Sequence, residues 1–128
     1  MDISNFNDLR TQNRFYYECV LANSEQFDLS EVWKNISSGD ELYLTRDRVN
    51  TSNPYSVAVL YKCPDNQFKI IGHLPKSEKS EDVANILDLG WDKGGEFFSC
   101  RIMHNEFKDS EYQVQIQISI KKKESIVR

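Results

Sequence analysis

Apolar and polar residues alternate most cleanly near the end of the chain. Tyr112, Val114, Ile116, Ile118 and Ile120 fall on one face, and Gln113, Gln115, Gln117 and Ser119 on the other. A period of two over that length predicts a strand with one buried and one wet face. Aromatic and β-branched enrichment over strand-length windows predicts further strands at 15–21, 41–45, 57–62, 68–72 and 97–103. In the second of these, alternation points Leu42 and Leu44 the same way. Pro64, Asp65 and Asn66 supply turn chemistry between the third and fourth, which predicts a hairpin.

Two stretches change to a helical period. Leu29, Val32, Trp33 and Ile36 recur at i, i+3, i+4 and i+7 behind Asp28 and Glu31, whose spacing suits side-chain capping of a helix start, and Ser37-Ser38-Gly39 ends the run. Ser77 or Ser80 caps a second helix with an apolar stripe at Val83, Ile86 and Leu87, and Gly90 stands where a left-handed terminal residue is needed before Trp91. About six strands with two short α-helices, and no regular strand–helix alternation, predict a mainly β fold. Closing so many strands into a small antiparallel β-barrel would hide their edges. Residues 1–13 read as an N-terminal arm, 14–123 as the domain and 124–128 as a fraying tail.

A chain of 128 residues is one domain and buries roughly two-thirds of its unfolded surface, so neither a disulfide nor a metal is required for folding. Cys19, Cys63 and Cys100 are far apart and form no Cys-x-x-Cys pair, which predicts reduced, mostly buried thiols; no metal and no cofactor are expected. No run has the length of a membrane span and Met1 to Asp8 lacks the blocks of a signal peptide, so a cytoplasmic location without a membrane partner is expected. The net charge of −4 excludes a protein that grips nucleic-acid backbone over its whole surface; any such contact must be local.

Catalytic patterns are missing. His73 and His104 are the only histidines, and no nucleophile elbow, phosphate-binding glycine loop or His-Glu-x-x-His helix occurs. Cys100 and His104 on one strand would share a face roughly 13 Å apart, too far for a nucleophile and its base. A non-enzyme is expected.

The remaining signal is an ordered series: Leu42-Tyr-Leu-Thr-Arg-Asp47, Asn53-Pro-Tyr-Ser-Val-Ala-Val59, Ile71-Gly-His-Leu-Pro-Lys76, then the amphipathic helix. Turn geometry alone explains Asn53 and Pro54, Tyr55 could be a loop aromatic that closes the core, and His73 alone is more often a satisfied strand-end histidine than a ligand contact. Arg46, Arg48, Lys62, Lys69, Lys76 and Lys79 form a basic region diluted by Glu78, Glu81 and Asp82, and Lys121-Lys-Lys123 reads as a solvated run.

Taken in order, these motifs resemble the HIRAN domain, a module at the front of helicase-like DNA translocases that also occurs as stand-alone bacterial proteins. The resemblance runs from about Phe15 to Arg101 and is strongest from Gly39 to Leu87. It implies a variant of the oligonucleotide/oligosaccharide-binding barrel, and a module for single-stranded DNA or DNA 3′ ends. It further implies that Tyr55, after Asn53-Pro54, stacks on a base, that Lys76 and His73 contact phosphate or backbone, and that Arg46 matches the family arginine. Ser56 stands where the family pattern has an aspartate that accepts the terminal 3′-hydroxyl, so capture of the 3′ end would be weakened or replaced. For the family's second stacking patch two alignments compete: Arg14-Phe-Tyr-Tyr17 by identity, and Asn23 to Phe27 by counting back from Gly39; the count is favoured. A protein-interaction domain that keeps the barrel without DNA affinity is the alternative.

Overall fold

The structure is a computed structural model and describes residues 14–49 and 52–121; the arm 1–13, Lys122, Lys123 and the tail 124–128 lie outside the described residues. Six strands form one antiparallel sheet: β1 (Arg14–Val20), β2 (Glu41–Arg46), β3 (Val57–Lys62), β4 (Phe68–His73), β5 (Phe98–Lys108) and β6 (Glu111–Ile120). Their spatial order is β1-β6-β5-β2-β3-β4. Two helices, α1 (Leu29–Val32) and α2 (Glu78–Asp88), complete the fold.

The sheet curls into a half-barrel. Its outer strands meet at one point, where Ala22, just past β1, exchanges two backbone hydrogen bonds of 2.8 Å with His73 of β4. Gly72 makes this crossing possible, because a Cβ there would lie 3.0 Å from the Ala22 carbonyl oxygen and 3.2 Å from the Leu21 Cβ. On the other side of the sheet β2 follows β3 as far as Arg46 and Val57, yet its register with β5 ends at Leu42 and Cys100. At the head of β5 the Asp92 carboxylate accepts the backbone N–H groups of Phe97 and Phe98, both at 2.8 Å.

The alternation in β6 sets the core. Val114, Ile116 and Ile118 are fully buried against Leu42, Val57, Val59, Ile71 and Ile102, and each such side chain contributes about 1.5–3 kcal/mol of transfer free energy. Ser119 is also buried, between Phe15 of β1 and Ser99 of β5, so the opposite face is not wet along its whole length.

α1 is shorter than its apolar period. Leu29, Val32 and Ile36 are buried as that period predicts. Asp28 makes no side-chain cap; its carbonyl accepts from the N–H groups of Glu31 and Val32 instead. In α2, Ser77 is the cap, its hydroxyl accepting the Ser80 N–H at 3.1 Å. Gly90, at φ 81°, ends the helix while Trp91 N–H reaches the Ile86 carbonyl. α2 also covers the edge of β1, where Lys79 Nζ donates to the Tyr16 carbonyl at 2.9 Å.

One expectation is overturned in β5. A bulge between Ile102 and His104 shifts the register, so that His104 lies opposite Gln115 and is exposed while Cys100 is buried opposite Ile118. The two side chains are on opposite faces. The three thiols are free, Cys63 and Cys100 buried and Cys19 partly so. Burial pushes the Cys19 thiol up to about 11 and the Cys100 thiol higher still.

Candidate nucleic-acid interface

The segment from Asp47 to Ser56 joins β2 to β3 and is held from below by one arginine. Arg46 donates from Nη1 to the Ser56 carbonyl at 2.6 Å, from Nη2 to the Pro54 carbonyl at 2.7 Å and from Nε to the Asp88 carboxylate at 3.0 Å. Its planar fork satisfies two loop carbonyls at once, a geometry a lysine ammonium cannot reproduce. Two local devices shape the loop further: Asn53 Oδ1 accepts the Tyr55 N–H at 3.0 Å and Asp47 Oδ1 accepts the Val49 N–H at 3.1 Å. Both are Asx turns, in which the side chain replaces a backbone acceptor.

Between these anchors Tyr55 is 38% exposed. No aromatic ring among the described residues packs against it, and its neighbour Ser56 is buried at 2% exposure. Ser56 therefore meets the rest of the loop mainly through its backbone, donating its N–H to the Asn53 carbonyl at 3.1 Å and accepting from Arg46 and the Asp47 N–H.

His73 sits at the end of β4, 3% exposed. Its Nε2 lies 2.7 Å from Asp47 Oδ2, and Phe27 meets its ring edge-on at a centroid distance of 4.9 Å. Nδ1 is buried without a hydrogen-bond partner. A cavity of ≈ 560 Å³ opens here, lined by Asn23, Gln26, Phe27, Asp47, Ser52 and His73 among others. Lys76 follows two residues after Leu74 on the exposed turn into α2, with no hydrogen-bond or ion-pair partner among the described residues.

The structure thus brings Arg46, Asn53, Tyr55 and Ser56 into one clamped loop and ties His73 to the same loop through Asp47. His73 is buried and Arg46 half-buried beneath it, whereas Tyr55 and Lys76 are presented to solvent. The expected basic region is divided: Lys62 lies over the Phe68 ring, Lys69 is 3.9 Å from Glu31 and Lys79 lies over the Tyr16 ring. Of the two alignments for a second aromatic patch, the Arg14–Tyr17 segment is strand β1, with Tyr17 bonded to Ser77 of the α2 cap. Phe27 lines the His73 cavity instead. Sequence reasoning missed Asp88, which receives both Arg46 and Arg48; its distance of 42 positions from Arg46 leaves no local signal. The arginine hydrogen bond, followed by the charges of both arginines, holds its carboxyl below the usual carboxylate range. No cluster of His, Cys, Asp and Glu among the described residues has the makings of a metal site.

A family model for the HIRAN domain matches residues 13–123. The chain belongs to the HIRAN domain family. No curated protein matches it by sequence. Among solved structures it is similar to the crystal structure of the HIRAN domain of human HLTF, with a TM-score of 0.56 and 14% identity over 84% of this chain and 76% of that one. At that identity the likeness shows the fold: a HIRAN half-barrel. The family itself suggests a DNA-binding module. No helix among the described residues of this HIRAN domain is long and apolar enough to cross a membrane.

Proposed function

We propose that this HIRAN domain is a non-catalytic module that binds single-stranded DNA or a DNA 3′ end on the face made by the 47–56 loop and the exit of β4. The observation that carries this reading is an exposed aromatic ring on a braced loop: Tyr55, with Arg46 on the carbonyls on either side of it and Asn53 on its N–H. A preordered ring loses little freedom on stacking, and base stacking contributes about 1–3 kcal/mol per base without regard to sequence. Lys76 supplies the phosphate contact. Arg46, Asn53, Ser56 and His73 position the loop, and the Phe27 ring offers an aromatic contact for a terminal nucleotide in the adjoining cavity.

Buried Ser56 in place of an aspartate favours weak discrimination of the 3′-hydroxyl. The test is fluorescence anisotropy with oligonucleotides carrying free or blocked 3′ ends. Tyr55→Ala is expected to weaken binding about 5- to 100-fold, equivalent to the loss of one stacked base. Equal binding by wild type and Tyr55→Ala would sink the proposal.

The net charge of −4 favours a second reading, a protein-interaction domain on the same half-barrel. Salt separates the two. Phosphate contacts make affinity fall steeply with ionic strength, whereas a largely apolar protein contact changes little.

A further inference from the structure

Beside the Tyr55 loop lies a second trough, of ≈ 320 Å³, between the end of β2 and the end of α2. Thr45, Arg46, Arg48, Asp88, Asp92 and Lys93 line it. Three cations thus face two carboxylates, and the Asp92 oxygen is already engaged by two backbone N–H groups of Phe97 and Phe98. That leaves Asp88, whose single oxygen Oδ1 receives both Arg46 Nε and Arg48 Nη2. An anion is therefore already seated on two guanidinium groups.

The two arginines differ in what else holds them. Arg46, 12% exposed, has its other donors committed to the loop carbonyls and cannot leave. Arg48 is 67% exposed, and its side chain has no hydrogen-bond or ion-pair partner among the described residues besides Asp88. Lys93 lays its stem against Gly90, with its Cε 3.8 Å from where a Cβ would stand, and has no ion-pair partner among the described residues. Carboxylate and phosphate oxygens suit the same guanidinium fork. Arg46 links the trough to the Tyr55 loop, since the same guanidinium reaches the Pro54 and Ser56 carbonyls and the Asp88 carboxylate.

We infer that this trough is a phosphate subsite of the nucleic-acid face, in which Arg48 and Lys93 take a backbone phosphate and Asp88 is an internal anion that holds Arg48 until the phosphate replaces it. The inference rests on the nucleic-acid reading above. It adds two contact residues, Arg48 and Lys93, and a competitor for one of them.

The experiment measures oligonucleotide anisotropy over a salt series for wild type, Arg48→Ala, Asp88→Asn, the double variant, and Glu106→Gln on the distant β5–β6 hairpin as a control for net charge. A parallel NMR titration with inorganic phosphate alone follows the amides of Arg48, Gly90 and Lys93. Asp88→Asn is expected to tighten binding about 3- to 10-fold, more than Glu106→Gln does, and to give no gain when Arg48 is alanine. Arg48→Ala is expected to reduce the salt slope by about 0.7, the value for one phosphate on a single strand. A gain from Asp88→Asn no larger than the control's, or one that persists without Arg48, overturns the inference while Tyr55→Ala still reports on the main face. Should no oligonucleotide bind yet phosphate shift those three amides, the anion site stands and the nucleic-acid reading falls; silence in both titrations removes both.

Discussion

The two ends of the half-barrel are fastened by different physics. At the Tyr55 end, a half-buried guanidinium, a buried imidazole and two carboxylates hold an irregular loop through directional bonds: Arg46 to Pro54, Ser56 and Asp88, and His73 to Asp47. At the far end, the β5–β6 hairpin is held by tilted ring contacts, with Tyr112 lying 4.6 Å from Trp33 and 4.8 Å from Phe107. Directional bonds fix position; ring contacts supply cohesion with looser geometry. A loop that must present one ring at one place needs the first kind. The hairpin carries backbone strain instead, since Asp109 and Ser110 both have positive φ, 54° and 64°, in a tight turn that favours glycine.

The contrast can be broken most sharply at Arg46. Arg46→Ala removes three bonds and leaves two loop carbonyls without that donor, so a loss of about 2–4 kcal/mol in urea unfolding is expected. Arg46→Lys should recover only a small part, because an ammonium cannot span both carbonyls. Full rescue by lysine would mean that the charge alone matters.

At the crossing of the two edges, Gly72→Ala pushes a methyl group against the Ala22 carbonyl and the Leu21 side chain. A loss of about 1–3 kcal/mol is expected, with the amide resonances of Ala22 and Ser24 shifting most. Wild-type stability in that variant would show that the closure is slack. At the hairpin the sign reverses: Ser110→Gly relieves a left-handed residue and should stabilise the domain by about 0.5–1 kcal/mol, read as a higher Tm. A destabilised variant would show that the Ser110 side chain contributes more than its backbone costs.

The smallest effect concerns pH. The folded Asp88 carboxyl lies below its ordinary 3.8, because Arg46 and Arg48 favour the ionised form. Its stabilising contribution is therefore fully present above the unfolded value and is lost as pH falls through the lower folded one. Asp88→Asn should flatten the acid limb of the stability curve below about pH 4 relative to wild type. An acid limb identical to that of wild type would show that Asp88 does not tie the loop to the helix.

How much of this was legible along the chain depended on whether the signal was local. Period-two alternation located β6, and the Pro64-Asp65-Asn66 turn fixed the β3–β4 hairpin, because both depend on near neighbours. Asn66 does adopt the left-handed φ of 69° that such a turn uses. The bulge that turns His104 outward has no marker in Ile102-Met103-His104, since an extra residue in a ladder is decided by pairing with β6. The motif series likewise singled out the 47–56 loop, but composition could not say that Arg46 and His73 would lie beneath it and Tyr55 above. That division comes from partners 8 to 42 positions away. The incomplete barrel was equally invisible, because the parting of β2 from β5 depends on how strongly a whole sheet coils.

The two hydrogen bonds between Ala22 and His73 make the half-barrel a clasp rather than a ring. Releasing them, together with the Asp28 N–H bond to the Ile70 carbonyl, would separate the outer strands without unpairing any ladder of the sheet, a local opening that costs less than global unfolding. Because His73 also touches Asp47, each such opening would loosen the tyrosine loop. Hydrogen exchange at the Ala22 and His73 amides would therefore report how often the proposed binding face comes undone.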